Sequence, residues 1–355
     1  MDFIAHRARQ GDSAVGAWPY PDVTLIIAPR EEGDHQGMLR LLLTLLVLLL
    51  VIPVAADPSS LPMNPLVPGQ RATPPRASAT PSKIVPRSQD VKPPQSSADR
   101  AALAEAARLN LKSAALVVLD QPRSRVLVAR NPDKVMPIAS ITKLMTAMVV
   151  LDAKLRMDEV LTISNDDVDR VKMSGSRLRV GTRLTRREML HLALMSSENR
   201  AASALSRHYP GGRLAFVKAM NAKARALGMG HSHFVDSTGL SKLNVSTAMD
   251  LVRMVGAAYR YQSIRRFTTI DRHVIKVNTG GKLTYLNSNR LVQTRSREWQ
   301  IEVSKTGYTS EAGRCLVMHT RIKSRPVIVV LLNSWGKLTP IGDANRIRRW
   351  VERQG

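Results

Sequence analysis

Ser140 and Lys143 stand three residues apart in the stretch PIASITKLMTAMVVLDA, residues 137–153. On a helix that spacing puts both side chains on one face, about one turn apart. Behind them Leu144, Met145, Ala147, Met148, Val149, Val150 and Leu151 are too many apolar positions for a single stripe, so the helix is expected to run through a core. A serine opening such a helix has backbone N–H groups and the positive dipole end beside it, which suit a developing oxyanion. Taken alone, the pair reads first as an N-capping serine with a snorkelling lysine. A second match, Ser334-Trp-Gly-Lys337, reads as accidental.

Two more short polar groups interrupt apolar runs. Ser197-Glu-Asn199 breaks two helical segments in LMSSENRAA, where a solvated turn is the plain alternative. Lys305-Thr-Gly307 ends the strand pattern IEVSKTG, and a period of two places Lys305 on the side of Ile301 and Val303. Two inward lysines from separate elements are each costly if charged and unpaired. Brought together, one cation and an apolar surround lower the other's pKa, giving an amine able to take a proton from Ser140. Ser197 can then relay a proton to a leaving nitrogen, Asn199 can hold a substrate amide, and Lys305 with Thr306 can fix a carboxylate or carbonyl. Gly307 lets an extended substrate lie against the strand edge.

Ser-x-x-Lys, Ser-x-Asn and Lys-Thr-Gly in this order resemble the signature of the active-site-serine penicillin-recognising enzymes, the penicillin-binding proteins and serine β-lactamases. PIASITKLMTAMVVLDA, LMSSENRAASAL, YPGG and SKTGYTSEAGRCLVM further resemble the low-molecular-mass D-alanyl-D-alanine peptidases, most closely the D-alanyl-D-alanine endopeptidases of the penicillin-binding protein seven type. The resemblance spans about residues 101 to 353. It implies Ser140 as the acylated nucleophile, Lys143 as general base, Ser197 and Asn199 as proton relay and amide contact, and Lys305 with Thr306 as substrate clamp. It also implies an oxyanion hole from the backbone N–H groups of Ser140 and Tyr308, the residue after Gly307. The implied substrate is the cross-linked stem peptide of peptidoglycan, with β-lactams as covalent inhibitors and without a cofactor. A D,D-carboxypeptidase is the runner-up. The expected absence of a further β-rich domain after the terminal helix tips the balance toward the endopeptidase. A β-lactamase is disfavoured because Glu198, the only acid inside the motifs, points by position away from its motif partners. A non-catalytic wall-binding protein is disfavoured because a pure binder gains nothing from burying lysines.

These groups need a scaffold. Ala101 to Leu111 reads as a helix, SAALVVLD and RVLVAR as a hairpin around QPRS, and the helix near Ser140 follows. Helical segments flank SSEN, GGRLAFVKAMNAKARALG is a helix closed by Gly228, and STAMDLVRMVGAAYR is another. FTTIDRHVIKV, WQIEVSKTG, RCLVMHTRIK and PVIVVLLNSW read as strands whose close succession favours antiparallel neighbours. DANRIRRWVERQ is a closing basic helix with Ile347, Trp350 and Val351 on one side. The expected class is α+β, an antiparallel sheet flanked by helices with a helical subdomain, and the resemblance implies the β-lactamase/DD-peptidase fold.

The chain has 355 residues, 44% of them hydrophobic, enough for a sizeable core. A single cysteine, Cys315, excludes an internal disulfide and any cysteine metal cluster. His231 and His233 in GHSHF have strand spacing but no third ligand, so no metal site is expected. The formal charge is +25, and the first 56 residues, with four basic and six acidic, do not carry it. That balance favours a polyanion. At 4% aromatic residues, and without a compact basic and aromatic module, nucleic acid is the weaker choice. MLRLLLTLLVLLLVIPVAADPSS from Met38 has the three parts of a secretory signal, with cleavage expected after Ala56. Residues 1–37 fit no export signal, so translation is expected to start at Met38, and residues 57–98 read as an extended Pro/Ser-rich tether before a catalytic domain at 99–355. Export implies a periplasmic location. An uncleaved segment would instead act as a membrane anchor, and the basic charge also suits peripheral association with anionic lipid head groups.

Overall fold

The computed structural model describes residues 97–354 apart from 279 and 295–297. The expected upstream extension, export signal and nearly all of the tether lie outside the described residues. Among these residues no helix is long and apolar enough to cross a membrane.

Helix α1 (Ser97–Arg108) begins four residues before the predicted Ala101 and leads into the hairpin β1 (Ala115–Asp120) and β2 (Arg125–Arg130). A short strand β3 (Met136–Pro137) precedes a 3₁₀ turn, Ala139–Ile141, which runs directly into α2 (Thr142–Asp152). The helical region continues with β4 (Val160–Thr162), β5 (Arg183–Thr185), α3 (Arg186–Met195), α4 (Asn199–Arg207) and α5 (Gly212–Ala226). Then come β6 (Val245–Ser246), α6 (Ala248–Tyr259), α7 (Gln262–Thr269), β7 (Arg272–Lys276), β8 (Lys282–Leu286) and α8 (Arg290–Gln293). Three ten-residue strands, β9 (Gln300–Thr309), β10 (Gly313–Ile322) and β11 (Arg325–Ser334), precede the closing helix α9 (Thr339–Gln354).

The main sheet has the order β2-β1-β11-β10-β9, with every neighbour antiparallel. Its strands alternate between two cores, as a period of two requires. Val117, Val303, Val317, Val330 and Leu332 face the helical region, whereas Leu116, Val118, Leu316, Met318 and Leu331 face the opposite side, where α9 contributes Ile347, Trp350 and Val351. Helix α2 packs against α3, α4, α5 and α6. Every residue from Thr142 to Val150 is buried, which is why its apolar positions go nearly all round.

Two expectations need correction. The segment FTTIDRHVIKV is not one strand of the main sheet. Ile264, Phe267 and Thr268 are buried at helical spacing, so its first residues end α7, and the strand part, β7, pairs with β8 in a separate hairpin. Gly280 and Gly281, at φ 95° and 84°, supply the turn that lets this hairpin close. Ile301 also does not share a side with Lys305. The pairing passes from His319↔Val303 to Thr320↔Ile301, leaving Glu302 as an extra residue. That bulge turns Ile301 toward the α9 core while Val303 stays in the helical one.

Candidate active site

Ser140 sits at the centre of the 3₁₀ turn, and the turn is held from two sides by glycines. Ala139 before it adopts φ 47°, an uncommon conformation for a residue with a Cβ. A side chain at Gly239 would put its Cβ 2.0 Å from the Ala139 carbonyl oxygen, and one at Gly307 would lie 3.1 Å from the Ser140 nitrogen. Gly239 therefore packs on the Ser140 turn only because it has no side chain, and Gly307 packs there more closely than a residue with a Cβ would without a small shift. Gly307 brings the edge of β9, and with it the segment before Tyr308, directly against the Ser140 amide. Thr142 Oγ1 donates to Ala139 O at 2.8 Å and accepts from Asn244 Nδ2 at 3.1 Å, tying the turn to the loop beyond.

Lys143 is fully buried, and its amine has three partners: Ser140 Oγ at 2.8 Å, Asn199 Oδ1 at 2.7 Å and Thr238 O at 2.6 Å. The two carbonyl-type oxygens can only accept, while the Ser140 hydroxyl can donate or accept. An ammonium satisfies all three by donating. A neutral amine satisfies the same three by donating twice and accepting the Ser140 proton, so protonation can change without a heavy atom moving. Burial drives the Lys143 pKa down to about 7, against the upward pull of the Asp236 and Glu198 carboxylates. Lys305, also buried, is held well below the ordinary lysine value by burial first and by the Lys143 charge second. Its amine donates to Thr306 O at 3.0 Å, and the Thr306 hydroxyl donates to Ser288 Oγ at 2.8 Å.

Ser197 and Asn199 lie at the break between α3 and α4. Ser197 is half-buried at φ 63°, and its hydroxyl makes no hydrogen bond among the described residues. Glu198 is buried as the N-cap of α4, its carboxylate accepting from the Arg200 N–H at 3.3 Å. It lines a separate hollow with Ser196, Arg177 and Tyr285 rather than the cleft beside Lys143. Tyr308 has an exposed side chain. The accidental Ser334 match lies elsewhere: its hydroxyl pairs with Ser113 Oγ at 2.8 Å, and Lys337 is exposed.

The motif reading missed the segment Asp236-Ser-Thr-Gly239. Asp236 Oδ1 accepts from the N–H of Thr238 and of Gly239, each at 2.6 Å, and from Thr238 Oγ1 at 2.7 Å, while Oδ2 accepts from Ser241 N at 3.0 Å. This aspartate-led turn aims the Thr238 carbonyl at Lys143. An Asp followed at three residues by Gly is a legible turn signal, but nothing in its spacing tells that the turn ends on a buried amine. Asn199, Thr238 and Asp236 also form one wall of a cleft of about 810 Å³ that continues along residues 165–172 and 240–243.

The chain is similar to several known proteins. Residues 101–336 match the peptidase S11 family model, described as D-alanyl-D-alanine carboxypeptidase. The chain is 51% identical over 243 residues to a D-alanyl-D-alanine endopeptidase of Pseudomonas aeruginosa, covering 68% of this chain and 78% of the relative. It is 45% identical over 260 residues to the D-alanyl-D-alanine endopeptidase of Escherichia coli, covering 73% and 83%. Among solved structures, the Streptomyces K15 DD-transpeptidase superposes with a TM-score of 0.62 at 28% identity, covering 68% of this chain and 97% of that one. The α+β fold is that of the DD-peptidases, and the chain belongs to the S11 family of serine D-alanyl-D-alanine peptidases.

Proposed function

We propose that this family member is an endopeptidase acting on peptidoglycan, cleaving the D-alanyl bond of peptide cross-links through an acyl-serine. The observation that carries the reading is the Lys143 amine, buried, with a pKa of about 7 and hydrogen-bonded to Ser140. Neutral Lys143 takes the Ser140 proton as Oγ attacks the D-alanyl carbonyl carbon. The oxyanion is received by the N–H groups of Ser140 and Tyr308. Ser197 passes the proton from Lys143 to the departing nitrogen, the C–N bond breaks and the amine strand leaves. Water, deprotonated by Lys143, then attacks the ester, and the proton returns to Ser140 as the peptide acid departs. Lys305 and Thr306 hold the substrate carboxylate, and Asn199 holds an amide of the stem. The 45–51% identical relatives named endopeptidases support cross-link cleavage, and the cleft beside Asn199 gives room for a stem peptide.

Trimming of terminal D-alanine is the second reading, favoured by the description of the matching family model. Both reactions share the same acyl-enzyme, so substrate decides between them. Full-length protein incubated with purified muropeptides is expected to convert cross-linked dimers to monomers, and Ser140→Ala to convert none. Intact dimers alongside trimmed pentapeptides would replace the endopeptidase reading with the carboxypeptidase one. A long-lived fluorescent penicillin label on Ser140 is expected, and fast turnover without label would point to a β-lactamase. The export signal read from Met38 to Ala56 supports a periplasmic site of action. N-terminal sequencing of the exported protein is expected to begin near Asp57, and a mature chain beginning at Met1 would reject that location.

A further inference from the structure

Asn199 has two chemically opposite ends, and its place beside the base makes their order matter. With Oδ1 toward Lys143, the amide accepts an N–H and leaves the amine lone pair for the Ser140 proton. With Nδ2 there, the amide would donate into that lone pair and occupy the base. Nothing within Asn199 fixes the choice, because the two orientations have the same shape.

A loop outside the three motifs supplies the constraint. Asp169 Oδ1 accepts from the N–H groups of Val171 and Lys172, both at 2.9 Å, and its Oδ2 accepts from Ser174 N at 2.9 Å and Ser174 Oγ at 2.6 Å. Those donors outweigh the effect of burial and hold the Asp169 carboxyl below its ordinary range. An ionised carboxylate can only accept, so Ser174 must spend its single hydroxyl proton on Asp169. Only lone pairs of Ser174 Oγ remain for its other neighbour, Asn199 Nδ2 at 2.9 Å, which must therefore be the N–H₂ end. That leaves Oδ1 facing Lys143 Nζ at 2.7 Å. The loop is tied down at two further points: Lys172 forms an ion pair with Glu311 beyond β9, and Arg177 donates to Thr284 O on β8 at 2.7 Å.

We propose that Asp169 and Ser174 are positioning residues for acylation, locking the Asn199 amide with its oxygen toward Lys143 and so reserving the amine's lone pair for Ser140. The proposal rests on the reading of Lys143 as general base. The donor and acceptor order runs carboxylate, hydroxyl, amide, amine, each link leaving the next only one role, while the last link, from the amine to the Ser140 hydroxyl, stays reversible.

The test is the pH profile of acylation by a fluorescent penicillin, measured on the full chain from about pH 5 to about pH 9. The charged groups acting on Lys143 are Asp236 and Glu198, and Lys305 is coupled to it. None of the three is altered by a change at residue 174. Ser174→Ala frees the amide to turn. The plateau rate is then expected to fall about tenfold as the lone pair is occupied. The acid limb is expected to move to lower pH by roughly half to one unit, because the ammonium form loses an acceptor. Ser174→Thr retains the hydroxyl and is expected to stay within about twofold of wild type. Asp169→Asn is expected to behave as Ser174→Ala does. An unchanged plateau and limb in Ser174→Ala would overturn the proposal, as would a fall in rate without movement of the limb, or a Thr variant as impaired as the Ala one. If wild-type protein takes no label at Ser140, the functional reading itself fails, and this one fails with it.

Discussion

Gly239→Ala isolates how far the nucleophile depends on a close backbone approach. The added Cβ would lie 2.0 Å from the Ala139 carbonyl oxygen, 2.4 Å from its carbon and 2.9 Å from Thr142 Oγ1. A comfortable carbon–oxygen separation is about 3.3 Å, so relief requires a displacement on the order of 1 Å, and the nearest obstacles are backbone atoms that cannot rotate away. Gly239 also has φ 82°, and alanine in the left-handed region costs about 1–2 kcal/mol. With overpacking added, the expected loss of stability is on the order of 2–5 kcal/mol. Displacing Ala139 displaces Ser140, and a 1 Å misplacement of a reacting group costs on the order of 100-fold in rate. Gly228→Ala is the matched control: its φ is 69°, but its nearest neighbour is Arg253 Cδ at 3.9 Å, so it carries the backbone penalty without the clash. The measurements are thermal unfolding and the second-order rate of acylation by a fluorescent penicillin. The control is expected to melt a few degrees low and acylate normally, and Gly239→Ala to melt lower still and acylate about 100-fold more slowly. Equal acylation rates in the two variants would refute the reasoning, because they would show that the Ala139–Ser140 turn does not need the glycine.

Acylation should rise with pH through a limb near 7, because only neutral Lys143 can take the Ser140 proton, and a stopped-flow or gel-based rate profile checks it. Stability should also rise with pH above that point: between the native value of about 7 and the ordinary 10.5, the unfolded chain holds a proton that native Lys143 does not. Lys143→Met should reduce the slope of this part of a urea-midpoint against pH plot, the remainder coming from the depressed Lys305. Asp167, whose buried carboxylate accepts from Arg207, Arg213, Ser203 and the Ser164 N–H, anchors the rim of the cleft. Asp167→Asn should cost about 2–4 kcal/mol in denaturant unfolding, since it strips two guanidinium groups of their counter-charge. Cys315 is buried, with its thiol pushed up to about 11 by burial. It should resist alkylation at about pH 8 in the native protein and react once the chain is unfolded in urea.

Periodicity reveals an element clearly where each face has one destination. The apolar girdle of α2, the two-sided strands β10 and β11, and the single buried stripe of Ile347, Trp350 and Val351 were legible for that reason. It failed for β7 because a stretch of β-branched and aromatic residues was shared between the end of α7 and a peripheral hairpin, and β8, in KLTYL, passed without notice beside it. The bulge at Glu302 was invisible because it depends on the partner strand's register, not on anything local to IEVSK. Candidate site groups whose side chains sit in motifs were legible. Those that act through a backbone carbonyl, such as Thr238, or through a glycine's missing Cβ, such as Gly239, were not, because backbone geometry is assembled by tertiary contacts far along the chain.

The two lysines show the same division. The sequence led us to expect mutual proximity as the main reason for a lowered pKa at the base, yet burial dominates at Lys143, while the Lys143 charge is felt at Lys305. Their hydrogen bonds explain the asymmetry of their roles. Lys143 has three protein partners and is satisfied in either protonation state. Lys305 has one among the described residues, the carbonyl of Thr306, so as an ammonium it keeps donors free for a ligand. A carboxylate arriving at Lys305 raises that lysine's pKa and favours its charged form. The carboxylate's own negative charge offsets that gain as it is felt at Lys143. The two amines are thus divided by their partners: Lys143 is committed to Ser140, Asn199 and Thr238 in either protonation state, whereas Lys305 is left open to an anion.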